Sequence, residues 1–242
     1  MKKLVALFVI LAAFLSFNNN TFSQPQVTVH VTGGYDLPLP DLKGEFPTDS
    51  NSYFMSSGFN VGADGKYYLG KKRNVGITLS AGYNSFSSGD INIVSFDTGT
   101  VVSKINAFTV GLGIEYGFMP KGKANPFVGA EFTGHFFSGN SKFTPTSGTE
   151  TTTDLKSASR FGLALGAGVD ITASKSIGFI IGGKYQLANL IGKEFDSVST
   201  STTEFPLNDK ENGTIEAKNI SYLQFYAGVS FYFNRPKAKM KK

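Results

Sequence analysis

The chain has 242 residues, with 28 glycines, 23 phenylalanines, 10 tyrosines, no tryptophan, no cysteine and a formal net charge of +5. The missing cysteine excludes disulfides, thiolate metal sites, thiol catalysis and a lipoprotein anchor. The charge is local: of 23 basic residues, Lys2, Lys3 and five in the last eight positions leave 16 against 18 acidic ones, so no nucleic-acid surface is expected.

Residues 1–23 predict a secretory signal peptide. Lys2 and Lys3 form its charged start, residues 4–17 its apolar core, and the run to Ser23 a polar exit with Thr21 and Ser23 as small residues before the cut. That apolar core is short for a membrane span, and no other run approaches spanning length. Insertion into a membrane must therefore be by strands. Residues 24–233 predict the folded domain and residues 234–242 a basic periplasmic tail.

The domain divides into eight stretches in which apolar residues alternate with small or polar ones, the period of a β-strand with two unlike faces. The first, 26–37, sets Val27, Val29, Val31 and Tyr35 against Thr28, His30, Thr32 and Asp36. A Pro-rich loop precedes the second, 53–69, with Phe59, Val61, Ala63 and Tyr67 outward and Asn60, Gly62, Asp64 and Lys66 inward. A polar turn at 70–74 leads to the third, 75–86. After a longer loop the fourth, 105–118, sets Phe108, Val110, Leu112, Ile114 and Tyr116 against Thr109, Gly111, Gly113 and Glu115. Pro120 and Pro126 bracket the next tight connection and are expected to stop pairing there. The fifth, 127–137, carries Glu131, Thr133 and His135 inward, and a Ser/Thr/Gly-rich loop runs from 138 to 157. Its segment 144–153 predicts a mobile, solvated tip. The sixth stretch, 161–171, is the most regular: Phe161, Leu163, Leu165, Ala167, Val169 and Ile171 alternate with Gly, Ala and Asp. A short turn precedes the seventh, 177–187, and the longest loop, 188–218, precedes the eighth, 220–233.

Short turns follow the second, fourth and sixth stretches; long loops follow the odd ones. Eight alternating strands joined this way predict an all-β fold, an eight-stranded antiparallel up-and-down transmembrane β-barrel. In such barrels the turns are periplasmic and the loops extracellular, which puts both termini in the periplasm. Rim aromatics are expected at Tyr67, Tyr116, Phe118, Phe127, Phe231 and Phe233 on the turn side, and at Tyr35, Tyr83, Phe86 and Phe136 on the loop side.

The last strand, Leu223-Gln-Phe225-Tyr-Ala227-Gly-Val229-Ser-Phe231-Tyr-Phe233, resembles the closing strand of bacterial outer-membrane barrels. With the leader and the strand layout, the chain resembles the OmpA/OmpX-type family of small outer-membrane barrels, in the Gly- and Phe-rich form of Bacteroidetes-like bacteria. The resemblance implies a non-enzymatic protein of a Gram-negative outer membrane, partnered by membrane lipid and lipopolysaccharide. It also implies an assembly machinery that reads Phe231 and Phe233. The aromatic end is followed by nine residues here, too few for the globular peptidoglycan-binding unit of larger members.

Asp64, Lys66, Glu115, Glu131, Arg160, Asp170 and Lys184 fall on the inward face. Glu115 and Glu131 flank one turn at similar distance and so should lie near each other, with Lys66 or Lys184 supplying a cation and Arg160 nearer the loop rim. Charges inside a narrow barrel are costly unless paired, so a salt-bridged plug is expected in preference to a proton site or gate. Catalysis would require a base beside a nucleophile. His135, with Ser138 and Glu150 or Asp154, is the one candidate set, and it matches no motif of the lipid A-modifying barrels. No catalytic residue, cofactor or metal is implied. Structural support or surface interaction through the loops is the expected function. A small-molecule conduit or binder and a lipid A-modifying enzyme are the alternatives.

Overall fold

The computed structural model describes residues 25–44, 46, 48–49, 51–93, 98–196, 204–213 and 216–234. The expected leader, and the tail beyond Asn234, lie outside the described residues. The elements are β1 (Val27–Pro38), α1 (Pro40–Lys43), β2 (Ser57–Leu69), β3 (Val75–Ser87), β4 (Ile91–Ile93), β5 (Gly99–Gly117), β6 (Ala124–Pro145), β7 (Thr151–Thr172), β8 (Ile177–Ile191), β9 (Glu204–Phe205) and β10 (Ser221–Phe233).

Eight of these strands close a ring. Each pairs antiparallel with its neighbours in the order β1-β2-β3-β5-β6-β7-β8-β10, and β10 returns to β1 from Val27↔Phe233 to Pro38↔Tyr222. Closure leaves none of the eight with an open edge inside the apolar layer, which a strand must achieve where water cannot satisfy its backbone. The two faces separate as the alternation demands. Leu79, Leu112, Ile114, Leu165 and Ile181 are each about 60% exposed on the outside, while Thr28, His30, Asp36, His135 and Ser230 are fully buried inside. A surface of that apolarity requires an apolar solvent.

The strands differ from expectation in four places. β5, β6 and β7 continue far past the barrel: the β5–β6 ladder runs from Gly117↔Phe127 to Gly99↔Pro145, and β6–β7 pairing reaches Phe143↔Thr151. Most of the expected loop 138–157 is therefore strand, and the expected tip 144–153 narrows to a turn at 146–150. Outside the membrane both faces meet water, so the ladder persists without the apolar alternation that would announce it. A register shift between Phe137 and Gly139 marks the level where the barrel ends and the projecting sheet begins, a usual place for a bulge. β4 pairs with β5, and β9 pairs in parallel with β7, widening that sheet.

Second, Pro126 lies within β6. Its carbonyl accepts from Phe118 N (2.9 Å) on the β5 side. A residue's N–H and C=O point to the same side of a strand, so its missing donor falls past the last β5 pair, Gly117↔Phe127, and toward β7 the ladder continues to Ala124↔Ile171. Third, Phe86 and Phe127 are buried inside and are not rim residues; the other expected rim aromatics face outward. Fourth, the second strand starts at Ser57, because residues 53–56 belong to the loop that covers the mouth.

Inward glycines let backbones and side chains pass closely. A Cβ on Gly228 would meet Val31 O at 2.0 Å, whereas nothing stands within 4 Å of one on outward Gly65. Gly228→Ala should therefore lower folding stability by about 1–3 kcal/mol, the range for overpacking, while Gly65→Ala stays within about 0.5 kcal/mol. Urea unfolding of the vesicle-inserted protein, followed by its heat-dependent gel mobility, reads both.

Candidate functional site

The lumen is built in three tiers. Nearest the turns lies a charged one. Lys66 donates to Glu115 Oε2 (2.5 Å), with Tyr68 OH on the other carboxylate oxygen (3.1 Å). The Lys66 ammonium also lies 4.2 Å from the centre of the Phe127 ring, which the alternation of β6 turns inward. Lys184 donates to both oxygens of Glu131 (3.0 and 3.1 Å), and Ser80 adds a third hydrogen bond. His30 Nδ1 stands 2.6 Å from Asp64, and its Nε2 faces Asp170 at 3.8 Å. Asp170 in turn accepts from Ser230 (2.8 Å) and Tyr232 (2.7 Å).

Both glutamates take partners from strands that are not their neighbours, and glycines stand along the way. Lys66 and Tyr68 on β2 reach Glu115 on β5 across β3; Lys66 pairs there with Thr78, while Gly76, which pairs with both Tyr68 and Glu115, leaves room for the Tyr68 ring. Lys184 on β8 reaches Glu131 on β6 across Gly166 of β7. Ser80 on β3 reaches the same Glu131 across Gly111, where an added Cβ would meet Ser80 Oγ at 2.5 Å and Glu131 Oε2 at 2.9 Å. The glycines leave the charged side chains room to lie flat against the wall.

The middle tier is neutral. Gln186 donates to Gln224 (3.3 Å), Gln224 to Asn84 (3.3 Å), and Asn84 to Thr109 Oγ1 (3.2 Å). His135 links Thr109 (3.0 Å) and Thr133 (2.9 Å) and lies against Phe137. Its two nitrogens are thus occupied by threonines, and neither Ser138, Glu150 nor Asp154 joins it. Glu150 pairs instead with Lys142 (2.7 Å). A cavity of about 50 Å³ lies between the charged and neutral tiers, lined by Asp64, Ser80, Asn84, Glu131, Lys184 and Gln224 among others. It has room for about four waters.

The upper tier is apolar. Leu42 of α1, Met55, Phe86, Ile105, Phe137, Leu155, Leu207, Ile220 and Tyr222 form one buried cluster across the mouth. The inner wall is thus not polar throughout: at the loop end it is greasy, and residues of the first and last loops complete it. Arg160 sits at this level, apart from the other sequence-predicted charges. It donates from Nε and a terminal nitrogen to fully buried Asp209 (3.0–3.2 Å) and from the other terminal nitrogen to Glu194 (3.2 Å). Asp209 also accepts from Asn189 (2.8 Å) and Glu194 N (2.9 Å). Tyr53 OH donates to Leu207 O (2.7 Å), and Asn219 N donates to Asp41 (2.7 Å), tying the first loop to the last. Lys218 lies over the Tyr53 ring at 4.7 Å, and burial pushes its ammonium below the usual lysine range. Asp209, Asn189 and Tyr53 were not among the sequence candidates, because they lie in loops or at a strand's end with no periodicity to place them.

Buried charges this tightly coupled should respond asymmetrically to mutation. Lys66→Met strands the Glu115 carboxylate and should cost about 3–5 kcal/mol of folding stability. The double variant Lys66→Met with Glu115→Leu should recover most of it, and the urea midpoints of the parent, the double variant and both single variants measure the coupling.

The family model described as "Outer membrane protein beta-barrel domain" matches residues 4–233. No curated protein matches the sequence. Similar solved structures include the outer membrane protein OprG from Pseudomonas aeruginosa (13% identity, TM-score 0.49, covering 89% of this chain and 100% of that one). Neisserial surface protein A is another (12% identity, TM-score 0.46, covering 86% and 97%). A third is Ail of Yersinia pestis, solved with the heparin analogue sucrose octasulfate (13% identity, TM-score 0.42, covering 85% and 99%). With a closed ring, an apolar outer face and a family match over nearly its whole length, the chain belongs to the outer membrane protein beta-barrel domain family and resides in the outer membrane.

Proposed function

We propose that the protein is a sealed, non-enzymatic outer-membrane barrel that acts through its loop-end surface, with the loops extracellular and both termini periplasmic. The filled lumen carries this reading. Ion pairs, an amide and hydroxyl chain and an apolar cluster block it in succession, and the polar cavity between them is far below ligand size. Eight-stranded barrels have interiors that side chains just fill, and here nearly every buried charge has a partner.

The loop end is built for display. The sheet of β4, β5, β6, β7 and β9 rises beyond the barrel, and the first and last loops are locked over the mouth by Arg160, Asp209 and Tyr53. A rigid, loop-supported platform loses little conformational entropy on meeting a partner. A signal peptide at 1–23, outer-membrane lipid and lipopolysaccharide around the barrel, and an assembly machinery that reads Phe231 and Phe233 belong to the same proposal. Catalysis has no support in the His135 surroundings, where threonines stand in place of an acid and a nucleophile.

Two measurements test it. In planar bilayers the full chain should give no steady unitary conductance; defined steps would overturn the sealed barrel in favour of a conduit. On intact cells, protease should cut within residues 39–56 or 192–220 while the barrel keeps its heat-dependent gel shift. Cleavage only after the outer membrane is permeabilised would invert the orientation.

A further inference from the structure

The three short turns carry six basic residues and no acidic one. Lys71, Lys72 and Arg73 lie between β2 and β3, Lys121 and Lys123 between β5 and β6, and Lys175 between β7 and β8. The connections at the opposite end, residues 39–56, 88–98, 146–150 and 192–220, carry twelve acidic and four basic residues. All five turn lysines are exposed. Among the described residues, none of the ion pairs involves them.

We propose that this ring binds the anionic phospholipid headgroups of the leaflet at the turn end. Its depth is the first reason. Each turn begins within a few residues of an outward aromatic, Tyr67 before the first and Tyr116 and Phe118 before the second, with Phe179 just after the third. Aromatics of this kind sit at the membrane–water interface, so the lysines fall at headgroup depth, and their long stems let the ammonium reach phosphate. Spacing is the second reason. In the ring order the turns join β2 to β3, β5 to β6 and β7 to β8, so the cations diverge around the rim. A discrete partner would call for charges converging on one face, whereas a lipid annulus meets the whole perimeter. The attraction adds along such a rim and weakens with salt.

The inference does not depend on which way the barrel faces, since a symmetric bilayer presents the same headgroups to both ends. The full chain is reconstituted in phosphatidylcholine vesicles with trace spin-labelled phosphatidylglycerol or spin-labelled phosphatidylcholine. The motionally restricted fraction of each probe is then read by electron spin resonance. The parent should favour the anionic probe by roughly three-fold at low salt, and the preference should fall toward parity in about 1 M salt, where the screening length is only about 3 Å. The variant with Lys71, Lys72, Lys121, Lys123 and Lys175 all changed to Gln should lose most of that preference. The matching Lys→Arg variant should keep it, and the heat-dependent gel shift establishes that each is folded. Equal association of the two probes with the parent overturns the proposal, as does a preference unchanged in the Gln variant. Co-sedimentation with purified peptidoglycan that the Gln variant loses, without any lipid preference in the parent, overturns it in favour of the wall polymer.

Discussion

Everything inside this barrel depends on holding charged side chains in a space too narrow for their hydration. A buried ion pair repays its desolvation only when geometry is close and the remaining lone pairs are occupied. Here Glu115 takes Lys66 and Tyr68, Glu131 takes Lys184 and Ser80, and Asp170 takes Ser230 and Tyr232. Those partners sit on strands that are not neighbours, so each bond must cross a third strand. Gly76 makes room for the Tyr68 ring, Gly111 for the Ser80–Glu131 bond and Gly166 for the Lys184 stem. The glycine excess of the sequence is thus the complement of its buried charges: a wall without Cβ atoms gives a lysine a track to a glutamate two strands away. The same cross-strand bonds brace the ring beyond what backbone ladders supply.

The sequence carries the barrel plainly and the lumen only in part, and the division follows from how register is set. A short turn fixes the alignment of its two strands, which is why Glu115 and Glu131, either side of residues 118–123, could be placed near each other beforehand. A long loop fixes nothing. His30 and Asp64 face each other across β1 and β2, whose connection spans residues 39–56, so their contact could not be read in advance. Arg160 and Asp209 are 49 residues apart, with Asp209 in an aperiodic loop. Phe86 and Phe127 were misplaced because aromatic identity suggested a rim, while the alternation of β3 and β6 already assigned both to the interior. The projecting parts of β5, β6 and β7 escaped notice for a different reason: alternation reports contact with lipid, and these segments have none.

The apolar tier changes what the loops are. In a barrel whose interior was polar to both ends, the loops would be free appendages. Leu42, Met55, Leu207 and Ile220 instead pack onto Phe86, Phe137 and Tyr222, so the first and last loops share a core with the barrel. Burial of that core and the Arg160–Asp209 pair hold the two loops to one another. The hairpin of β6 and β7 is held differently, by ladder hydrogen bonds to β5, which the short β4 pairs from its other side, and to the short β9. Two kinds of support thus act on one surface, and a change at the platform's edge need not disturb the seal beneath it.

Charge is also distributed along the barrel axis in a way that ties the tiers to the rims. The tier nearest the turns holds four carboxylates, Asp64, Glu115, Glu131 and Asp170, against two lysines and His30. Its remaining negative charge lies below the neutral tier, at the same end as the six cations of the turns. A charge inside a low-dielectric wall feels others beyond contact distance more strongly than it would in water. The turn lysines stand at that same end, exposed and outside the lumen's ion pairs. On the reading proposed above, they meet the layer where headgroups lie. One arrangement of six basic residues then shares its end of the barrel with the lumen's surplus carboxylates and presents a positive perimeter to the lipid around it.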